Sequence, residues 1–163
     1  MTETRGDIRL SCQSSEHGVR ALLARLMPML PGWGIPDEDA MTIELVLAET
    51  LNNIAEHAFP TEDDAFIAVH LWVVGNQFHV KVRDAGLPMP GLTLPSGTLP
   101  NPDVARADLP EGGFGWFLIR SQTDALEYRR EGAGNHLSYS IRLSLPAQPK
   151  RDYCRESQSN API

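Results

Sequence analysis

Lysine is almost missing from this 163-residue chain: only Lys81 and Lys150 occur, and the other basic residues are scattered arginines. Acidic residues outnumber basic ones, 21 to 14, for a formal charge of −7. A nucleic-acid footprint needs clustered cations, so direct nucleic-acid binding is excluded as a main role. Cysteine is as sparse. Cys12 and Cys154 stand alone, with no Cys-x-x-Cys and no neighbouring His cluster, which excludes a zinc site of the usual spacing and a disulfide framework. No run of about 18 apolar residues exists, so no membrane-spanning helix is expected. Met1 to Asp7 lacks the basic-then-apolar pattern of a secretory leader, and a cytoplasmic location is expected. Nowhere does Gly-Lys-Ser/Thr occur, which excludes a P-loop nucleotide site.

What is present is an ordinary globular composition, 42% hydrophobic and 21% charged. The length suits one domain that buries about two-thirds of its unfolded surface. Residues 1–146 are expected to form that domain, and the polar stretch 147–163 to be a disordered tail. No internal repeat is visible.

Asp7 to Cys12 can form a first strand. Glu16 to Leu30 reads as an amphipathic helix through Val19, Leu22, Leu23 and Leu26, broken by Pro28 and then Pro31-Gly-Trp-Gly. Pro36 and the acids Asp37, Glu38 and Asp39 suit the first turn of a long second helix that stops before Pro60. Along it, Ile43, Leu47, Leu51, Ile54 and Ala58 recur at three- and four-residue spacing and draw an apolar stripe. Glu49, Asn53 and His57 fall four apart and make a polar ridge beside that stripe. Polar residues on a helix flank are usually just solvated. A carboxylate one turn from a carboxamide can also do chemistry: the amide oxygen ligates a hard cation such as Mg²⁺, and the carboxylate orients or deprotonates a hydroxyl.

Ala65 to Val74 and Phe78 to Asp84 read as strands of a hairpin about Gly75-Asn76. Phe78, Val80 and Val82 share one face with Asp84, whose carboxylate must find a donor or be exposed where the chain turns away. Gly86 to Gly112 carries six prolines (Pro88, Pro90, Pro95, Pro100, Pro102 and Pro110) and little periodicity. Unstructured segments of that length are usually functional lids or links, and strong patterns close on both sides favour a lid. Gly112-Gly-Phe-Gly115 opens a helix through Trp116, Leu118 and Ile119 with Ala125 at its end. Ala125 to Arg130 can be a strand, Glu131 to Asn135 a turn, and His136 to Leu145 a last strand.

Each candidate motif is weak alone. An Asp-x-Gly after a strand is a common turn, and Gly-x-Gly before a helix can be an ordinary cap. In this order and spacing, however, three stretches resemble the N, G1 and G2 boxes of the GHKL ATPase superfamily, the Bergerat nucleotide fold. They are Glu49-Thr-Leu-Asn-Asn53-Ile-Ala-Glu-His57-Ala-Phe59, Val82-Arg-Asp84-Ala-Gly86 and Gly112-Gly-Phe-Gly-Trp-Phe-Leu-Ile119. More narrowly, the chain looks like the RsbW-type anti-sigma-factor serine-protein kinases, over roughly Arg9 to Pro146.

The resemblance implies an α+β, two-layer sandwich: a mixed, mostly antiparallel sheet with helices on one face and a long ATP lid. It implies that Asn53 holds Mg²⁺ bridging the ATP phosphates and that Glu49 is the general base or orienting group. Asp84 would accept from the adenine amino group, and Gly86 would let the backbone approach the base. Gly113 and Gly115 would cradle phosphate at a helix N-terminus, with Arg106 in the lid as a further phosphate contact. The implied activity is ATP-dependent phosphorylation of a Ser or Thr on a STAS-type anti-anti-sigma partner, coupled to sequestration of a sigma factor by a homodimer.

The chain departs from the pattern at Pro88, where many relatives carry a second glycine. Proline fixes φ and removes an N–H, so a stiffer hinge is expected there. His57 reads as structural, and Trp33, Trp72 and Trp116 as core or interface rather than ligand-stacking residues. Two alternatives compete with the kinase: a nucleotide-gated binding module with little transfer, and a sensor histidine kinase's catalytic domain. The last needs an upstream phosphoacceptor His, for which His17 on a short helix is a poor candidate.

Overall fold

A computed structural model describes residues 4–59, 65–97 and 113–144. In it, β1 (Thr4–Gln13) leads to α1 (Glu16–Leu26), a 3₁₀ stretch (Met27–Trp33) and the long α2 (Asp37–Ala58). The hairpin β2 (Phe66–Val74) and β3 (Gln77–Asp84) follows, then a 3₁₀ turn (Pro90–Leu92), α3 (Gly113–Gln122), β4 (Asp124–Glu131) and β5 (Gly134–Arg142).

The first helix is shorter than its apolar periodicity suggests. Ser15 caps it through Gly18 N–H at 3.1 Å, and it ends at Leu26 because Pro28 and Pro31 suit a 3₁₀ stretch better than an α-helix interior. Three other expectations shift. β1 runs longer in both directions than Asp7 to Cys12. Ala125 is not a helix end; it lies in β4 at φ 52. Asn135, expected in a turn, lies in β5 and is buried.

The five strands run in the order β1-β2-β3-β5-β4. Every described pairing is antiparallel, where a mixed sheet was expected. The reason is that β5 slots between β3 and β4, so each strand meets only reversed neighbours. Between Asp124 and Glu127 the register slips by one residue against β5, at the positive-φ Ala125. Because side chains alternate with a period of two, that extra residue decides which face the rest of β4 presents. Beyond it, Tyr128 sits opposite Leu137 and Arg130 opposite Asn135, on the helix side of the sheet.

All three helices contribute to that side. Leu22 and Leu26 of α1, Ile43, Leu47 and Leu51 of α2, and Ile119 of α3 join Ile67, Leu71, Phe78 and Val80 of the sheet in one buried cluster. Each such side chain contributes about 1.5–3 kcal/mol by leaving water. Trp116 is buried in this cluster and Trp33 is partly buried against it, with its ring 6.3 Å from that of Phe78. Trp72 lies on the opposite face, between His70 at 4.6 Å and His79 at 5.1 Å. Partial burial, and secondarily Lys81, hold His79 below its ordinary pKa. No helix among the described residues is long and apolar enough to cross a membrane.

Candidate functional site

α2 is the spine of the site, and two other segments lie against one flank of it. The first is the start of α3. A Cβ built on Gly115 would fall 2.6 Å from Glu49 Oε2 and 3.4 Å from Asn53 Nδ2, so the backbone of α3 sits against these two side chains and a larger residue would push the Glu49 carboxylate aside. The Glu49/Asn53 ridge therefore lies directly beneath the N-terminal turn of α3, which begins at Gly113. A helix N-terminus concentrates unpaired N–H groups and partial positive charge, which suits an anion.

Glu49 and Asn53 are both half-buried. No ion pair or hydrogen bond engages Glu49 among the described residues, and Asn53 Nδ2 is buried without a partner. Leaving a buried amide N–H unpaired costs about 1–3 kcal/mol; Asn52 Oδ1 beside it and Ser14 Oγ are buried and unpaired as well. A hard cation fits this donor set. The carboxylate and carboxamide oxygens are of the type Mg²⁺ takes; among the described residues no cluster of three or more His, Cys, Asp or Glu could itself hold a metal ion. Such a cation would take its remaining ligands from water and a bound phosphate.

The second segment is the turn after β3. A Cβ on Gly86 would meet Ala58 O at 2.5 Å and Ala58 Cβ at 2.7 Å, while Leu87 N–H donates to Ala58 O at 2.8 Å. Glycine is thus required at position 86 by the end of α2, a packing reason that stands beside the expected approach to a base. Ala58 lies five residues beyond Asn53, about 7.5 Å along the helix axis. Asp84 resolves its awkward position on the apolar side by accepting from Gly86 N–H at 2.9 Å and from Asn135 Nδ2 at 2.7 Å, both at Oδ1.

Asn135 is the site residue that sequence reading misses. Its carboxamide also donates to Leu87 O at 3.0 Å and, more weakly, to Gly86 O at 3.4 Å. Its Oδ1 accepts from Tyr128 Oη at 2.8 Å and Arg130 Nη1 at 2.7 Å. Alternation from Leu137 through Ile141 extends back to position 135, and that was the available signal; the Gly-Ala-Gly before it outweighed the pattern.

The described start of the lid lies along α3. Arg120 Nε donates to Pro95 O at 2.8 Å, and Gly97, at φ +65, sits with its would-be Cβ 2.9 Å from Trp116 O. Arg106 and Gly112 lie outside the described residues, as do Cys154 and the expected tail. His57 is exposed at the end of α2 and makes no described polar contact in the site.

A two-layer fold with helices on one sheet face, and with the glycine-opened start of α3 and the turn after β3 both seated on α2, is that of the histidine kinase-like ATPases. The profile of the histidine kinase-like ATPase domain matches residues 12–141, and the chain belongs to that family. Among curated proteins it is similar to the serine/threonine-protein kinase BtrW of Bordetella bronchiseptica, 33% identical over 99 residues. That alignment covers 60% of this chain and 66% of the kinase. Its fold is also that of the crystal structure of the RsbU and RsbW domains of Rv1364c from Mycobacterium tuberculosis, with a TM-score of 0.58 and 17% identity. That match covers 87% of this chain and 34% of the larger one.

Proposed function

We propose that this chain binds Mg·ATP and transfers the γ-phosphoryl group to a serine or threonine of a STAS-type anti-anti-sigma protein, and that it sequesters a sigma factor as a homodimer. The observation that carries this reading is the seating of Gly115 on Glu49 and Asn53. It brings a candidate base, a candidate metal ligand and an anion-favouring helix end to one spot.

In this reading Asp84 accepts from the adenine amino group, and Gly86 keeps the turn close to α2. The N–H groups from Gly113 to Gly115, with Arg106 of the lid, hold phosphate oxygens. Asn53 Oδ1 would hold Mg²⁺, which would supply the phosphate charge neutralisation that no P-loop lysine is present to give. Glu49 takes the proton of the attacking hydroxyl as its oxygen bonds to the γ-phosphorus and the bond to the ADP oxygen breaks. The new phosphate on the partner, about two negative charges, then changes which complex is favoured. The sequence similarity to a named serine/threonine kinase supports the transfer step.

One observation favours a second reading, a nucleotide-gated binding module with little turnover: the turn around Pro88 is held on both sides by side-chain hydrogen bonds, which opposes rapid nucleotide exchange. Incubation with γ-labelled ATP and candidate STAS proteins separates the two. Wild-type protein is expected to label its partner. Glu49→Ala should lower the transfer rate by about 10²–10⁴-fold while ATP affinity changes little. Equal loss of binding and transfer would make Glu49 structural, and no transfer by wild type to any partner would favour the binding module.

A further inference from the structure

Purine selection in the proposed site falls on Asp84, and within the Asp84–Met89 turn one described hydrogen bond, from Gly86 N–H at 2.9 Å, reaches that carboxylate. Pro88 cannot donate, and the segment has no strand partner beyond Asp84, which pairs with Asn135. Three side chains from β4 and β5 hold it instead. Arg130 Nη1 donates to Gly86 O at 2.8 Å, Asn135 Nδ2 to Leu87 O at 3.0 Å, and Met89 N–H to Tyr128 Oη at 3.0 Å. Both backbone groups flanking Pro88 are thereby engaged.

The same three residues are bonded to one another through Asn135 Oδ1. That fixes the orientation of the carboxamide: its oxygen faces two donors, so its nitrogen must face the acceptors. Asn135 Nδ2 consequently meets Asp84 Oδ1 at 2.7 Å, and with Gly86 N–H at 2.9 Å it occupies that oxygen. Every hydrogen bond given to this carboxylate among the described residues falls on Oδ1. The one-residue slip at Ala125 is what turns Tyr128 and Arg130 toward the cleft; in unbroken register their side chains would leave through the other face.

We infer that Tyr128, Arg130 and Asn135 form a clamp that sets the purine specificity of the site. By occupying Oδ1 and fixing the ring-facing turn, it presents Asp84 as a one-sided acceptor, selecting a base with an exocyclic amino group over one with an oxo group. Tyr128 and Arg130 act as positioning residues through Asn135. This inference rests on the nucleotide reading of the site.

The test is the ratio of affinities for ATP and ITP, which differ at the purine 6-position, in wild type, Tyr128→Phe, Arg130→Gln and Asn135→Asp. Wild type should prefer ATP. Tyr128→Phe removes one hydroxyl and should reduce the ATP/ITP ratio about 3- to 10-fold, through weaker ATP binding with ITP affinity kept; Arg130→Gln should do the same. Asn135→Asp replaces the donor to Asp84 Oδ1 with an acceptor, while leaving an oxygen for Arg130 and Tyr128, and should lower the ratio at least as much. Unchanged ratios in the Tyr128 and Arg130 variants, or equal loss of both nucleotides, would overturn the clamp while leaving ATP binding intact as a finding. Wild-type protein that binds neither nucleotide would overturn the site reading itself, and the clamp with it.

Discussion

The carboxamides of Asn53 and Asn135 meet opposite fates: the first leaves Nδ2 buried and unpaired, and the second accepts from two donors at Oδ1 and donates from Nδ2 to acceptors. An unpaired buried donor marks where a ligand is wanted, and a saturated amide marks where rigidity is wanted. The placement of Asn53 beside Glu49 was legible in the sequence because the two stand four residues apart on a helix. Asn135 was not, because its partners arrive from positions 84, 128 and 130 and no local pattern announces them. Cys12 shows the same rule in an apolar setting. Burial raises its thiol from 9.0 to about 11. A raised folded-state value means the neutral thiol's contribution to stability is intact below pH 9 and is lost as pH rises from 9 toward 11. At pH 8 the thiolate fraction is roughly 100-fold below that of an unfolded thiol. Iodoacetamide labelling, mapped to the Cys12 peptide, should therefore be far slower in folded than in denatured protein. Equal rates would mean that β1 opens freely.

At the scale of elements, α2 carries both core and cleft. Its apolar stripe was readable from spacing, and Ile43, Leu47 and Leu51 are fully buried as that stripe requires. The hairpin was readable because period and turn chemistry are local; the three boxes were readable only through their resemblance, in order and spacing, to a known family. The slip at Ala125 was not, since a single extra residue in a strand leaves no mark in composition and its outcome depends on what β5 offers opposite. Contact between α2 and the Asp84–Gly86 turn also lies beyond sequence reading, and it yields a sharp expectation. Gly86→Ala would force a methyl to within 2.5 Å of a helix carbonyl, backbone that cannot swing aside. Overpacking of this kind costs about 1–3 kcal/mol, which for a domain this size lowers Tm by roughly 3–10 °C. Calorimetry showing an unchanged Tm would mean that the turn does not seat on α2.

For the molecule as a whole, the sheet's second face has no covering layer among the described residues, while the helical face holds the candidate site. Three segments distant in sequence, around positions 49–53, 84–86 and 113–115, converge there because α2 is long enough to serve two of them at points about 7.5 Å apart. In the function proposed above, these segments grip one nucleotide. The most direct measurement is an ATP titration with Mg²⁺ present, followed by two-dimensional ¹H–¹⁵N spectra of the labelled protein. The backbone amides of Gly86 and Gly115 and the side-chain amide of Asn53 are expected to shift together, along a single saturation curve. Shifts confined to one segment, or separate curves for the three, would contradict the account.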